Sequence, residues 1–116
     1  PVTTLDDFLA SSLEQVGAIK IDVEGHEISV LQGAEKTINQ HRPLIICESE
    51  SRHLPSGDVN HSIQYFRRIS YGGYFVHPKK GPLNLDDFDP KIHQSQSGER
   101  FWDAKEYCNN FILTPN

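Results

Sequence analysis

Two short apolar runs separated by a helical pattern constrain the fold of this 116-residue chain more than any other feature. Residues 18–23 (AIKIDV) are dominated by β-branched side chains, and residues 43–48 (PLIICE) contain a continuous apolar stretch, so both predict strands. Between them a helix is predicted over residues 26–40, with these apolar residues on one face: Ile28, Leu31, Ala34 and Ile38. This order predicts two neighbouring parallel strands joined by a right-handed crossover.

The remaining patterns continue the alternation of helices and strands. Helices are predicted over residues 3–16 and 62–71, the second ended by Gly72 and Gly73, and strands are predicted over residues 74–78 and 108–116. Residues 78–106 are polar and contain several prolines and glycines, which predicts a long excursion with at most one hairpin. The whole chain, residues 1–116, therefore reads as a single α/β domain with a layered sheet.

Composition excludes several classes of protein. The formal net charge is −5 and the basic residues form only short pairs, which argues against a nucleic-acid-binding surface. No apolar run approaches the roughly 20 residues of a membrane-spanning helix. The two cysteines, Cys47 and Cys108, are typical of a reducing compartment, so we expect a cytoplasmic protein with Cys47 in its core. The chain has no methionine and begins with Pro1, so we expect it to be part of a longer protein.

Acidic residues follow both of the first two predicted strands. Asp22 and Glu24 lie at the carboxyl end of the first, and Glu48 and Glu50 lie at the carboxyl end of the second. Because the carboxyl ends of parallel strands meet at one edge of a sheet, we expect both pairs to reach the same edge. Such a group of carboxylates can hold a divalent cation, accept a proton from a substrate hydroxyl, or bind a cationic group such as an amine or a sulfonium.

Structural roles remain open for several of these residues. Glu24 and Glu27 precede or begin a helix, where a negative charge is favourable, and Glu50 is expected to be solvated. His26 either caps the helix or supplies a ligand or a base. No second histidine follows at the spacing of a zinc hydrolase motif. The aromatic residues at element ends are expected to lie in the core: Tyr71, Tyr74 and Trp102.

Three segments together resemble the FkbM family of methyltransferases. They are TLDDFL at residues 4–9, IKIDVEGHEISVLQGAEKTI at residues 19–38, and RPLIICE at residues 42–48; the ending FILTP is also similar to that family's closing strand. The resemblance implies a class I methyltransferase, an enzyme that uses S-adenosylmethionine as its methyl donor. Its expected fold is Rossmann-like, with three α/β/α layers and an antiparallel last strand. The predicted strands would then be the fourth to seventh of that fold.

The same resemblance implies roles for the acidic residues. Asp22 would face the cofactor's methyl group and the acceptor, so it is assigned to both catalysis and cofactor binding. Glu24 and Glu48 would border the same pocket as further catalytic residues, and Glu24 and His26 would contact the acceptor. The acceptor is expected to be a small hydroxyl compound, such as a sugar. No G-x-G motif for the cofactor occurs in the chain, so we expect it to carry only part of the cofactor site and to be inactive alone.

Two other functions compete with methyl transfer. The acidic residues alone are also compatible with a phosphoester hydrolase that depends on a divalent metal ion. A non-catalytic module that only associates with further copies of itself is the second alternative. Without an upstream strand, the edge at residues 18–23 would be open, and we expect such an edge to be covered by self-association or by domain exchange with a second copy.

Overall fold

The computed structural model of the protein describes residues 2–116, which form a mixed α/β fold with one five-stranded sheet. The strands are β1 Ala18–Ile21, β2 Leu44–Glu48, β3 Tyr71–His77, β4 Gly81–Asn84 and β5 Asn110–Pro115. The α-helices are α1 Leu5–Phe8, α2 Glu27–Gln32, α3 Glu35–His41, α4 Asn60–Arg68 and α5 Pro90–His93. Two 3₁₀ turns, Leu85–Asp87 and Phe101–Asp103, lie between β4 and β5. None of the helices among these residues has the length and apolar character needed to span a bilayer.

The strands lie in the order β1-β2-β5-β3-β4. β1 and β2 are parallel neighbours, with Ile21 opposite Cys47, which confirms the pairing predicted from the two apolar runs. β5 lies between β2 and β3 and is antiparallel to both, the orientation that the resemblance implies for the last strand. β3 and β4 form a hairpin, in agreement with the prediction of at most one hairpin for residues 78–106. This polar segment also contains α5 and the two 3₁₀ turns.

β1 differs from the buried strand that was predicted for residues 18–23. It ends at Ile21, and Ile21 is its only buried residue. The strand lies at one edge of the sheet, so within residues 2–116 it has a neighbour on one side alone. The chain turns directly after it, because Glu24 and Gly25 adopt left-handed backbone conformations with φ of 45° and 105°.

The helix predicted over residues 26–40 is divided into α2 and α3 at Gly33, because an N-terminal segment packs there. A Cβ on Gly33 would lie 3.1 Å from the Thr4 side chain, and the backbone N–H of Asp6 donates to the Gly33 carbonyl at 2.9 Å. The Asp6 carboxylate accepts hydrogen bonds from the backbone N–H groups of Lys36 and Thr37, both at 2.9 Å. Asp6 therefore caps α3, whereas the helix predicted over residues 3–16 is reduced to α1.

The predicted helix end at Gly72 and Gly73 is wrong, because both glycines lie inside β3 and α4 ends at Arg68. At Gly73, φ is 134° and a Cβ would lie 2.1 Å from the Ile112 carbonyl oxygen, so the close approach of β5 requires glycine.

One hydrophobic core joins the sheet to the helices. Its largest members are Leu31 and Phe66 from helices, and Ile45, Tyr71, Phe75, Phe111 and Leu113 from strands. Cys47 and Tyr71 are buried as predicted, and both cysteines are free thiols. The prediction that Tyr74 and Trp102 are core residues is wrong, because they are 46% and 42% exposed.

Candidate functional site

Asp22 and Glu48 lie next to each other at the carboxyl ends of β1 and β2. Ile21 and Cys47 are paired across β1 and β2, and each carboxylate comes from the next residue along its strand direction. Asp22 is exposed and Glu48 is half-buried. Burial raises the pKa of Glu48, and the neighbouring carboxylates of Asp22, Glu50 and Glu24 raise it further. The structure therefore brings the four acidic residues to one edge of the sheet; we call this group the acidic edge.

The turn after Asp22 is held by a buried carboxylate. Glu27 is 1% exposed, and its Oε1 accepts a hydrogen bond from the Gly25 backbone N–H at 2.9 Å. A Cβ on Gly25 would lie 2.1 Å from the His53 carbonyl oxygen, so this turn packs directly against the loop that follows β2. Glu27 thus does more than favour the start of a helix: it fixes the turn that carries Glu24. Its Oε2 has no hydrogen-bond partner among residues 2–116.

Glu50 is not solvated as predicted, since its side chain is only 2% exposed. The Tyr107 hydroxyl donates to Glu50 Oε2, Arg52 Nε donates to the same oxygen at 2.8 Å, and Asn109 Nδ2 donates to Oε1 at 3.2 Å. Burial alone would raise the pKa of Glu50, but these hydrogen bonds outweigh it, so the pKa lies below its usual value. Three donors from two parts of the chain explain how a carboxylate is buried here.

Polar residues in the segment before β5 hold the end of β2 and the loop that follows it, and sequence reasoning missed them. Asn109 Nδ2 lies 3.3 Å from Glu48 Oε1 and 3.2 Å from Glu50 Oε1, so a single amide bridges both carboxylates. Gln94 is 4% exposed; its Nε2 donates to the Ser49 and Cys108 carbonyls, and its Oε1 accepts from the Ser51 N–H. Gln94 and Cys108 are 14 positions apart, but the other partners are separated by 43 to 61 positions, so spacing gave no signal for them. The only hint was a polar pair directly before an apolar strand.

Arg52 continues this cluster outward to the aromatic residues of the polar segment. Its guanidinium carbon lies 4.7 Å from the centre of the Trp102 ring and 5.9 Å from that of Phe101. The hydrogen bond with Glu50 raises the pKa of Arg52, so the guanidinium stays charged. Trp102 therefore has its ring beside the ion pair of Arg52 and Glu50, with part of the ring open to solvent.

His26 is not brought to the acidic edge by any contact in the described chain. It is exposed, it precedes α2, and its side chain makes no capping hydrogen bond. It borders a shallow cavity of about 210 Å³ whose lining includes no carboxylate: Gly25, His26, Ile28, Ser29, Leu54, Pro55, Ser56 and His61.

The chemistry of the acidic edge is that of a negatively charged proton-accepting surface. Burial raises the pKa of Cys47 far above its usual value, so this thiol stays neutral and is no nucleophile. Within residues 2–116, no group of three or more histidine, cysteine, aspartate or glutamate side chains is arranged to hold a metal ion. Exposed carboxylates such as those of Asp22 and Glu24 can contact hydroxyl groups and cationic groups.

The protein is a mixed α/β protein whose acidic residues lie at the carboxyl ends of two parallel strands, the edge at which open α/β sheets generally bind ligands. The model of the methyltransferase FkbM domain matches residues 1–76, which is more than half of the 116 residues. The chain therefore belongs to the FkbM methyltransferase domain family, and methyl transfer is the chemistry that this membership suggests. No curated protein and no solved structure gives a significant match to it.

Proposed function

We propose that the protein to which this chain belongs transfers a methyl group from S-adenosylmethionine to a hydroxyl oxygen of a small molecule. The observation that carries the proposal is the position of Asp22 beside Glu48 at the carboxyl ends of two parallel strands. In open α/β sheets this edge is where ligands bind. Membership of the FkbM methyltransferase domain family supports methyl transfer as the reaction.

We propose that β1, β2, β3 and β5 are the fourth, fifth, sixth and seventh strands of a Rossmann-like class I fold with three α/β/α layers. The strand order and the antiparallel β5 support this assignment. On this view residues 1–116 form the C-terminal part of a methyltransferase domain. They would contribute the acceptor side of the site and only part of the cofactor side.

The residues of the acidic edge fit the cationic part of the proposed cofactor. S-adenosylmethionine, when bound, supplies a methyl group carried on a positively charged sulfur. Asp22 and Glu24 are exposed carboxylates that complement such a charge, and Asp22 is the residue we assign to the cofactor. The glycine-rich turn that binds the rest of this cofactor has no counterpart in the sequence, so this chain alone is expected to bind the cofactor weakly and to be inactive.

The carboxylates have separate proposed roles. Asp22 accepts a hydrogen bond from the acceptor hydroxyl and orients it or takes its proton. Glu24 and Glu48 border the same site as further catalytic residues. His26 contacts the acceptor only if the acceptor extends around the turn into the cavity that His26 shares with His61. A polyhydroxylated acceptor such as a sugar is suited to a surface of hydrogen-bond acceptors. The two free cysteines support a cytoplasmic location.

Self-association is a second candidate function, favoured by the position of β1. This strand pairs with β2 on one side, and its other edge has no partner strand within residues 2–116. An open edge readily adds another strand, so we propose that two copies of this chain pair through β1. Light scattering tests this: a dimer supports the pairing, and a clean monomer at high concentration contradicts it. The metal-dependent hydrolase gains no support from the arrangement of the side chains.

The proposed reaction is tested in the intact protein with labelled S-adenosylmethionine and a panel of hydroxyl compounds. Asp22→Ala is expected to abolish methyl transfer while the affinity for S-adenosylhomocysteine, measured by calorimetry, changes little. Asp7→Ala is the matched control, because Asp7 is an exposed aspartate on α1. Unchanged turnover in Asp22→Ala removes Asp22 from the mechanism. Phosphoester hydrolysis with Mg²⁺, without any methyl transfer, would favour the hydrolase instead.

A further inference from the structure

The geometry points to Glu50 and Asn109 as positioning residues that hold Glu48 as the carboxylate accepting the proton of the acceptor hydroxyl. This inference deepens the proposed function and rests on it, because a proton acceptor is needed only if a hydroxyl reacts there. Neither Glu50 nor Asn109 has to touch the acceptor, since both act through their contacts with Glu48.

Contacts with hydrogen-bond donors favour the ionised form of Glu50. Its carboxylate is almost fully buried, yet it accepts hydrogen bonds from the charged Arg52 and from Tyr107. His53 Nε2 lies 3.7 Å from Glu50 Oε1 and adds a further polar neighbour. Hydrogen bonds to an ionised group are stronger than neutral ones, and losing the charge would leave Arg52 without its partner. A fixed negative charge therefore lies two residues beyond Glu48.

The Asn109 side chain links Glu48 to Glu50 by contacting both carboxylates. Its Nδ2 is within 3.3 Å of one oxygen of each carboxylate, and it belongs to the segment that leads into β5. The backbone on both sides is also fixed, because the Ser49 N–H donates to the Asn109 carbonyl at 2.9 Å. A carboxylate whose rotamer is held in this way is pre-oriented for proton transfer.

Glu48 is better placed than Asp22 to accept a proton. Asp22 is exposed and has no side-chain hydrogen bond among residues 2–116, whereas Glu48 is half-buried and held by Asn109. The charged and titratable groups near Glu48 and its neighbour Glu50 come from three elements. They are Asp22 and Glu24 after β1, Glu50, Arg52 and His53 after β2, and Tyr107 before β5, with the neutral thiol of Cys47 next to it in β2. Excess negative charge makes the carboxylate of Glu48 more basic.

The proton transfer balances without any further reactant. The acceptor hydroxyl loses its proton to Glu48, which changes from carboxylate to neutral carboxylic acid, while the oxygen keeps the electron pair. That pair would form the new oxygen–carbon bond as the carbon–sulfur bond of the methyl donor breaks, with the electron pair of the broken bond staying on the departing sulfur. Asp22, which stays available to the hydroxyl, orients it. Glu50 remains ionised throughout, so it favours the protonated form of Glu48 once the proton has moved.

Carboxyl-carbon NMR of ¹³C-labelled chain, titrated with acid, tests the inference without any methyl donor. Glu50→Gln removes the fixed charge, so the pKa of Glu48 is expected to fall toward that of a free glutamate. Asn109→Leu removes a donor to Glu48 and is expected to shift that pKa upward. Because the two variants shift the pKa in opposite directions, general loosening of the site cannot produce both results. Glu14→Gln, at an exposed glutamate, is the matched control and is expected to change nothing.

An unchanged pKa of Glu48 in both Glu50→Gln and Asn109→Leu, with well-dispersed amide spectra, would overturn the inference. If one variant fails to fold, the other still decides it. Absence of methyl transfer in the intact protein would instead overturn the proposed function, whatever the NMR titration shows. If the inference and the proposed function both hold, the raised pKa of Glu48 is also expected in the acidic limb of the pH profile of kcat/KM. Glu50→Gln is then expected to move this acidic limb to lower pH.

Discussion

The Tyr107 hydroxyl donates a hydrogen bond to the buried carboxylate of Glu50, 57 positions earlier in the chain. This contact joins the segment before β5 to the loop after β2, so the acidic edge depends on the C-terminal part of the chain as well as on the loop that carries Glu50. It also explains why Glu50 is ionised although it is buried.

Tyr107→Phe is expected to destabilise the protein, because it removes a hydrogen bond to a buried charge while keeping the ring. The expected loss is about 1.5–3 kcal/mol in the free energy of unfolding, measured with urea. Tyr74→Phe is the control: Tyr74 is 46% exposed, and its substitution is expected to have almost no effect. Equal stability of Tyr107→Phe and the unmodified protein would show that this contact does not hold Glu50.

Glu48→Gln and Glu50→Gln are expected to change the melting temperature in opposite directions at neutral pH. The folded pKa of Glu50 is lowered, so its contribution to stability is present above the unfolded pKa of about 4.3 and is lost as pH falls through the folded value. The folded pKa of Glu48 is raised, so ionised Glu48 destabilises the fold as pH rises through that value. The melting temperature of Glu50→Gln is therefore expected to be lower than that of the unmodified protein, and the melting temperature of Glu48→Gln is expected to be higher.

Both differences are expected to shrink in acid, where the unmodified side chains become protonated as well. Melting curves at neutral pH and below about pH 4 measure this directly. Shifts of the same sign for the two variants, or shifts that do not depend on pH, would contradict the assigned charges of Glu48 and Glu50.

Asp6→Ala is expected to lower the free energy of unfolding by about 0.5–2 kcal/mol, as for the loss of other helix caps. The reason is that Asp6 accepts from two backbone N–H groups at the start of α3 and from the Thr37 hydroxyl. Asp6→Asn retains a good capping side chain and should lose less. Asp7→Ala, on the exposed side of α1, serves as the control; a loss as large as that of Asp6→Ala would argue against the cap.

Arg42→Lys is expected to cost about 1.5–3 kcal/mol in stability, because a lysine cannot reproduce two hydrogen bonds from a fixed fork. Arg42 donates to the carbonyls of Ile69 and Ser70, at 3.0 and 2.9 Å, and its guanidinium lies 4.5 Å from the centre of the Tyr71 ring. Arg68→Lys is the matched control, since Arg68 only stacks on Tyr65 at 5.4 Å. Equal losses of stability in Arg42→Lys and Arg68→Lys would show that the two hydrogen bonds of the Arg42 guanidinium contribute nothing.

Sequence patterns predicted the central features of the fold because those features depend on local periodicity. The runs at residues 18–23 and 43–48 gave two parallel neighbouring strands, and their pairing placed Asp22 and Glu48 at one edge. The division of the helix after Gln32 was missed because its cause is the distant segment of Thr4 and Asp6, which no helical pattern within residues 26–40 reveals.

The sequence predicted which carboxylates lie at the acidic edge, but not which of them are buried or what they contact. Strand ends identified the carboxylates, but the burial of Glu50 depends on Tyr107 and Asn109, which approach it only after β5 is inserted beside β2. The exposure of Trp102 has a similar origin, because its ring packs on Arg52 at the edge of the domain rather than in the core. Long-range polar contacts of this kind leave no periodic signal.

Methyl transfer by the intact protein carrying Asp22→Asn, Glu48→Gln and both substitutions tests the shared site most directly. If the two carboxylates act on one hydroxyl, each single substitution lowers kcat/KM strongly, and the double variant loses little more than the more impaired single one. Losses that simply multiply, or full activity in either single variant, would contradict a common site for Asp22 and Glu48.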